Sequence, residues 1–287
     1  MSGSRSSAAA AGTAAADGAE RRLPAGARVR APRGRTIRAM DTWKFFGITH
    51  ADHVVCNPTS TERLDELIGL LDLEPGASVW EAACGKGELL VRLAERRRVR
   101  GTGVDMSPYE IAVARERAAA RAPAAKLTIV EGDAASHPPE PASVDLAVCL
   151  GASWIWGGHR GTLRALRGFV KPGGHVLVGE PYWRREPDPA YLVAAELAAG
   201  DFSTLHGNVE IAAEEGLALL YALPSRDEDW DRYELLQLRA AERWALAHPD
   251  DPDVGELLAR ARRGNQAYLR WGRDTLGWSI YLFRAPS

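Results

Sequence analysis

The sequence predicts an α/β fold: a doubly wound sheet of seven strands with helices on both faces and a helical insertion before the last strand. Three observations carry this expectation. Short runs rich in Val, Ile and Leu alternate with amphipathic segments between residues 60 and 180, as in a parallel sheet covered on both sides. A glycine-rich turn follows the first of these strands in "SVWEAACGKGELLVRLAERR". Two long helical periodicities separate the last two strands, too much chain for a simple connection.

In chain order, residues 1–39 are rich in Ala, Gly, Ser and Arg. They are expected to form a disordered basic tail, with Met40 as an alternative natural start. The folded domain is placed at 40–287. It opens on a short aromatic segment, "MDTWKFFGITHADHVVCNP". "STERLDELIGLLDLEPG" reads as a helix capped by Thr59 or Ser60, with Leu64, Leu67, Ile68 and Leu71 on one face and Pro75-Gly76 as its stop. "SVWEAA" is a strand, 86–97 a helix and "GTGVDM" a second strand. Pro108 begins a helix that ends near Pro123. "KLTIVEGD" and "SVDLAVCL" are strands three and four. A helix over 159–170 is stopped by "KPGG", and "HVLVGE" is strand five. Residues 188–199 and 205–215 look helical, 217–223 looks like strand six, and 228–247 and 253–272 are two longer helices. "GWSIYLFRA" closes the chain as strand seven. The insertion, about 226–273, is expected to form a lid over the active end of the sheet.

Composition narrows the function. Across 287 residues, 46% hydrophobic and 26% charged is ordinary for a globular protein, and no run approaches a membrane span. Cys56, Cys84 and Cys149 have neither zinc spacing nor disulfide-scaffold density, so no metal and a cytoplasmic home are expected. Residues 1–40 carry eight arginines against Asp17 and Glu20, about +6. The remainder carries 28 basic and 36 acidic residues, about −8. A mildly acidic body speaks against a nucleic-acid partner, which requires a basic face.

The glycine loop identifies the ligand. Gly85 and Gly87 let backbone approach a bound molecule at the carboxyl edge of the sheet. A dinucleotide loop would be G-x-G-x-x-G/A, but residue 90 is Leu, and no P-loop spacing is present. Glu81, four residues before Gly85, would repel a pyrophosphate and hold an ammonium. Asp105, 20 residues after Gly85, stands where a carboxylate accepts ribose hydroxyls. Asp133 in "EGDA" follows strand three, in reach of an adenine amino group. Ammonium, ribose and adenine together describe S-adenosylmethionine, with S-adenosylhomocysteine as its product.

"VWEAACGKGELLVRLA", "GTGVDMSP", "EGDA", "VDLAVCLGASW" and "VKPGGHVLVGEPYW" together resemble the class I S-adenosylmethionine-dependent methyltransferases. The resemblance covers about residues 60–224 and implies a Rossmann-like sheet whose last strand, 276–284, is antiparallel. It implies that Glu81, Cys84, Gly85 and Gly87 form the first cofactor motif, that Asp105 and Met106 meet ribose and adenine, and that Asp133 and Ala134 recognise the base. Cys149, Leu150 and Gly151 match the loop near the transferred methyl. Cys84 departs from the pattern, since many members carry Gly there. The "GEPYW" ending of strand five resembles a group of bacterial small-molecule methyltransferases.

Methyl transfer from a sulfonium requires an aligned nucleophile and, where that nucleophile is protonated, a base. Glu180 is the first candidate base, followed by Tyr182 and His159. Trp154, Trp183, Trp230, Tyr233, Arg273 and Trp278 are candidate substrate contacts, although aromatics at helical spacing usually belong to cores. Trp156, Tyr268 and Trp271 stand in the same aromatic segments, and His53 could close over the methionine end. The "NPPY" loop of base and amide methylation is missing, with "GASW" in its place. A thiolate trio of Cys56, Cys84 and Cys149 is a remote alternative. The expected activity is methyl transfer to a small-molecule acceptor, a bacterial secondary metabolite. An NAD(P)-dependent oxidoreductase, a non-catalytic cofactor-binding protein and a nucleic-acid methyltransferase stand as alternatives. The oligomeric state is left open.

Overall fold

A computed structural model describes residues 40–287. The tail expected at 1–39 lies outside the described residues. Seven strands form one sheet: β1 (Ser78–Ala82), β2 (Arg100–Asp105), β3 (Leu127–Glu131), β4 (Val144–Leu150), β5 (Val170–Trp183), β6 (Ala218–Pro224) and β7 (Leu276–Arg284). Their spatial order is β3-β2-β1-β4-β5-β7-β6. The first five pair in parallel, while β7 lies between β5 and β6 and runs antiparallel to both. This is the Rossmann-like arrangement. The strand order reverses between β1 and β4, so their connections leave in opposite directions. A crevice opens beyond their carboxyl ends, where such sheets bind ligands.

The helices are α1 (Thr42–Thr49), α2 (Thr61–Leu70), α3 (Glu88–Arg97), α4 (Pro108–Arg121), α5 (His159–Phe169), α6 (Pro189–Ala195), α7 (Leu205–Glu214), α8 (Asp227–Ala247) and α9 (Val254–Ala267). A short π turn, Tyr268–Gly272, and a last helical turn, α10 (Arg273–Thr275), lead into β7. Ser60 caps α2 by accepting the Arg63 amide, so the Thr59 alternative drops out. Ser107 caps α4 in the same way, with Pro108 in the first turn, where its missing N–H has no intrahelical role.

Alternation along the strands divides the core. Leu177, Ile280 and Leu282 face α2 and α3, joining Leu64, Leu67, Leu90 and Leu93. Val176, Val178, Tyr281 and Phe283 face the other side, with Leu163 and Leu166 of α5 and Ala212 of α7. Each fully buried side chain of this size contributes roughly 1.5–3 kcal/mol. A third apolar cluster is separate from both faces: Met40, Phe45 and Ile48 pack against Ala241 of α8 and Leu257 and Ala261 of α9.

Four features differ from the sequence reading. The aromatic segment after Met40 contains a helix, α1, capped by Asp41 and stabilised by the packing of α8 and α9. The "KPGG" stretch does not precede strand five but lies inside β5, which runs on through Glu180 to Trp183 because β7 pairs with it all the way, Trp183 opposite Leu276. The helix expected over 188–199 stops at Ala195, where Glu196 turns left-handed at φ 56°. The helix expected to run to 272 ends at Ala267 in the π turn. Among the described residues, no helix is long and apolar enough to cross a membrane.

Candidate active site

The site grows from the turn that joins β1 to α3. Ala83, Gly85 and Gly87 take positive φ values of 49°, 52° and 67°. At Gly87 a methyl group would also stand 3.2 Å from the Ala114 Cβ, so glycine permits both the turn and the close approach of α4. The turn is held from below by Asp105 at the end of β2. Its Oδ2 accepts the Gly85 amide at 2.8 Å, and its Oδ1 accepts the Ser107 amide at 2.8 Å. Burial raises the Asp105 pKa, opposed by the N–H groups of Ser107, Gly85 and Met106. Each carboxylate oxygen can still accept one more hydrogen bond.

Above this turn lies a cleft with about 1030 Å³ of empty space, open mouth included. Gly85, Asp105, Met106, Ala134, Leu150 and Gly151 line it, all six among the cofactor residues expected from sequence. A recess of about 390 Å³ continues from it, sharing Cys56, Ala83, Gly85 and Leu150, and reaching Glu81 and Cys84. Glu81 is 4% exposed, and its Oε2 has no partner among the described residues. Burial and the nearby Asp105 push its pKa up to about 8. The Leu90 amide opposes that rise, and the orphaned oxygen of a carboxyl lining a recess is what an ammonium would satisfy. These residues fit S-adenosylmethionine: Glu81 would meet its amino end, Asp105 its ribose, and Met106 with Ala134 its purine.

Several expected residues stand elsewhere. Asp133 is outside the cleft lining. It caps the turn Ala134–Ser136, its Oδ1 accepting the Ala135 amide and its Oδ2 the Ser136 hydroxyl, and its neighbours Gly132 and Ala134 line the cleft instead. Glu180 is 3% exposed within β5 and also outside the lining. Ser153 Oγ donates to its Oε1 at 3.0 Å, and His159 Nδ1 lies 4.0 Å from its Oε2. His159 Nε2 donates to the Asn208 carbonyl. Burial pushes the Glu180 pKa up to about 8 and the His159 pKa down to about 4, so both groups are neutral at pH 7. Tyr182 is buried with its ring against Gly277 of β7. None of the three expected catalytic groups lines the cleft: Glu180 and Tyr182 lie on β5, which continues as a paired strand, and His159, at the start of α5, is buried against the Asn208 carbonyl of α7.

The aromatic candidates divide similarly. Trp154 and Tyr233 line the cleft. Trp183 packs with Tyr191 and Phe202 and donates its indole N–H to the Ala199 carbonyl at 2.9 Å. Trp230 and Trp278 are in the core, the latter laid over Gly179 and Gly151, where added side chains would collide with its ring. Arg273 forms a two-pronged ion pair with Asp231 and is 42% exposed. The thiols are apart in role: Cys56 lines the cleft, Cys84 the recess, and Cys149 is buried in β4. Burial pushes Cys56 and Cys149 up to about 12 and Cys84 well above its usual value, so none supplies a thiolate.

The α1 side of the cleft was not expected from sequence. Thr42, Trp43, Phe46 and His50 of α1 and its C-terminal end line the cleft, beside the expected contact Tyr233 of α8. His50 Nδ1 donates to the Phe46 carbonyl, which leaves its Nε2 to accept the Tyr233 hydroxyl at 3.1 Å. Burial and the neighbouring His53 depress the His50 pKa to about 3, keeping it neutral. His53 Nε2 donates to the Tyr233 carbonyl at 2.9 Å. Lys86, inside the glycine turn, donates to the carbonyls of His50 at 2.7 Å and His53 at 2.9 Å. One buried ammonium thus joins the cofactor turn to the wall above it. Glu110 also lines the cleft. Burial, with Asp105 nearby and Lys86 opposing, raises its pKa to about 7. The spacing of Thr42, Phe46 and His50 at four-residue intervals was the signal available for the α1 wall.

Residues 79–174 match the methyltransferase domain family. YjhP of Escherichia coli (strain K12), an uncharacterised protein, is 32% identical over 248 residues, covering 86% of this chain and all of YjhP. An S-adenosylmethionine-dependent methyltransferase from Geobacter sulfurreducens, solved with S-adenosylhomocysteine, superposes with a TM-score of 0.80. It is 32% identical, over 85% of this chain and 98% of that one. Another from Thiobacillus denitrificans, also solved with S-adenosylhomocysteine, gives a TM-score of 0.79 at 34% identity, over 84% and 98% of the two chains. These similarities show the family: the cofactor is S-adenosylmethionine, and the chain belongs to the S-adenosylmethionine-dependent methyltransferases.

Proposed function

We propose that this protein transfers a methyl group from S-adenosylmethionine to a small-molecule acceptor held beneath α1 and α8. The observation that carries the reading is the composition of the cleft wall opposite the glycine turn. Trp43, Phe46, Trp154 and Tyr233 line it with broad ring surface, interrupted by few polar groups. Such a wall suits a compact, largely apolar acceptor. A nucleic acid would need a basic face, and the body beyond residue 40 is mildly acidic. A nicotinamide dinucleotide is disfavoured by Leu90, fully buried where its loop would need a small residue.

When bound, S-adenosylmethionine supplies an electrophilic methyl on a sulfonium. The chain's own contribution is placement and the exclusion of water. Asp105 fixes the Gly85 amide and so the shape of the turn, while Glu81 sets the charge at the recess floor. Lys86 anchors the wall that closes over the acceptor. For an acceptor that arrives protonated, Glu110 is the cleft carboxyl whose pKa, near 7, suits a base. The helices α8 and α9 act as a lid together with α1.

The test is transfer of labelled methyl groups from S-adenosylmethionine to a panel of small metabolites, alongside calorimetric titration with S-adenosylhomocysteine and NADH. Tight binding of the first and none of the second is expected, with label entering at least one organic acceptor. Transfer to RNA or DNA alone would overturn the reading.

A further inference from the structure

A second cavity lies on the opposite flank of α1 from the cofactor cleft. Phe45 and Thr49 face it, Thr42 and His50 face the cleft, and Phe46 lines both. The cavity has about 960 Å³ of empty space, open mouth included, between α1, the end of α6, α8 and α9. It goes beyond the cofactor and acceptor cleft, whose residues other than Phe46 it does not share.

One of its buried polar groups is unsatisfied. Asn265 is 5% exposed, lines the cavity, and its Nδ2 has no hydrogen-bond partner among the described residues. Glu234 of α8 lines another wall, with no hydrogen bond or ion pair among the described residues, and burial alone raises its pKa to about 7. Arg260 of α9 is held with its guanidinium 3.7 Å from the Phe45 ring centre and 5.5 Å from that of Phe46. It too makes no ion pair among the described residues, and burial lowers its pKa. Arg260 and Glu234 thus line one cavity without pairing with each other, while Glu196 and Arg263 stand on the same lining and Glu196 and Glu256 act on Arg260 only at a distance. Buried polar groups ordinarily find partners, so the orphaned Asn265 amide, set beside a half-buried cation and carboxyl, points to a polar ligand in this cavity.

We propose that this cavity is a binding site for a small amino-carboxylate, its carboxylate taken by Arg260 and Asn265 and its ammonium by Glu234. The planar guanidinium, fixed over two rings, offers the paired N–H geometry that a carboxylate matches. Asn265 Nδ2 supplies a further donor, and Glu234 supplies the opposite charge. Because Phe46 separates the two spaces, a ligand here touches the wall of the acceptor cleft.

The experiment is calorimetric titration of the full chain, saturated with S-adenosylhomocysteine. The probes are glycine, γ-aminobutyrate, 5-aminopentanoate, glutamate and lysine, with butyrate and butylamine as single-charge controls. At least one amino-carboxylate should bind with a Kd below about 1 mM, and tighter than both controls. Arg260→Gln and Glu234→Gln should each weaken it by about tenfold or more. Ala194→Phe, at an exposed position on the cavity rim, should block binding without disturbing the core. S-adenosylhomocysteine affinity should stay the same in all three variants. Absence of binding by every probe, equal binding of a control, or undiminished binding in Ala194→Phe would overturn the site. Failure of the parent to bind S-adenosylhomocysteine would count instead against the cofactor cleft, so the two failures are separable.

Discussion

Asp105 Oδ2 accepts the amide N–H of Gly85 at 2.8 Å, joining the end of β2 to the turn that leaves β1. The aspartate expected to hold a ribose therefore also shapes the loop beside it. Asp105→Ala removes this bond and the one from Ser107, together with any ribose contact. Hydrogen bonds to a charged group contribute about 1.5–3 kcal/mol each, so S-adenosylhomocysteine affinity should fall by roughly thirtyfold or more. Calorimetric titration measures it, with circular dichroism confirming that the variant is folded. Unchanged affinity would remove Asp105 from the site.

Lys86 makes a different prediction, because its ammonium faces backbone carbonyls instead of a carboxylate. Lys86→Met leaves the carbonyls of His50 and His53 buried without their donor. Unmade buried hydrogen bonds cost about 1–3 kcal/mol, which should lower the Tm by several degrees. The same variant loosens the α1 wall from the glycine turn, so amide exchange over residues 50–56 should quicken relative to the sheet. Unaltered exchange there would show that the wall stands without Lys86.

The strand and loop positions of Glu81, Gly85 and Asp105 were legible in the sequence because they depend on local pattern. A strand ends, a glycine turn follows, and acids close the strands. The wall made by α1 was not legible, since an eight-residue helix containing Gly47 has little stability alone and forms against α8 and α9, far along the chain. Trp183, Trp278 and Tyr182 were misplaced for another reason. Whether a strand aromatic meets ligand or core depends on register, and the β5–β7 pairing lays Trp278 over Gly179 and Tyr182 against Gly277. Asp133 reads identically as a purine contact or as a cap, and its own turn takes its oxygens.

Glu81 predicts proton release on binding. Without ligand its pKa is about 8, so at pH 7 it is mostly protonated. An ammonium in the recess favours the ionised form and expels that proton. S-adenosylhomocysteine binding should therefore tighten as pH rises from 6 to 8. Calorimetry in buffers of different ionisation enthalpy should show release approaching one proton at pH 7. In Glu81→Gln the release should vanish and the pH dependence flatten. If the parent protein takes up no buffer-dependent heat, the ammonium is held elsewhere.

Glu180 tests the correction to its expected role. Enclosed beside Ser153 and His159, away from the cleft lining, it should not matter for cofactor affinity, so Glu180→Gln should bind S-adenosylhomocysteine within about twofold of the parent. Its effect should appear in stability. The folded-state pKa of about 8 lies above the ordinary 4.5. Below pH 4.5 both folded and unfolded chains hold the proton, and the group is neutral to stability. Between 4.5 and 8 the folded chain keeps a proton that the unfolded chain releases, so stability falls as pH rises through that window and levels off above it. Glutamine mimics the neutral carboxyl, retains an acceptor for the Ser153 hydroxyl and has no proton to lose. The Tm of Glu180→Gln relative to the parent should therefore be higher at pH 8 than at pH 5, by a few degrees. A difference that is the same at both pH values would mean that Glu180 is ionised within the fold, paired with a protonated His159.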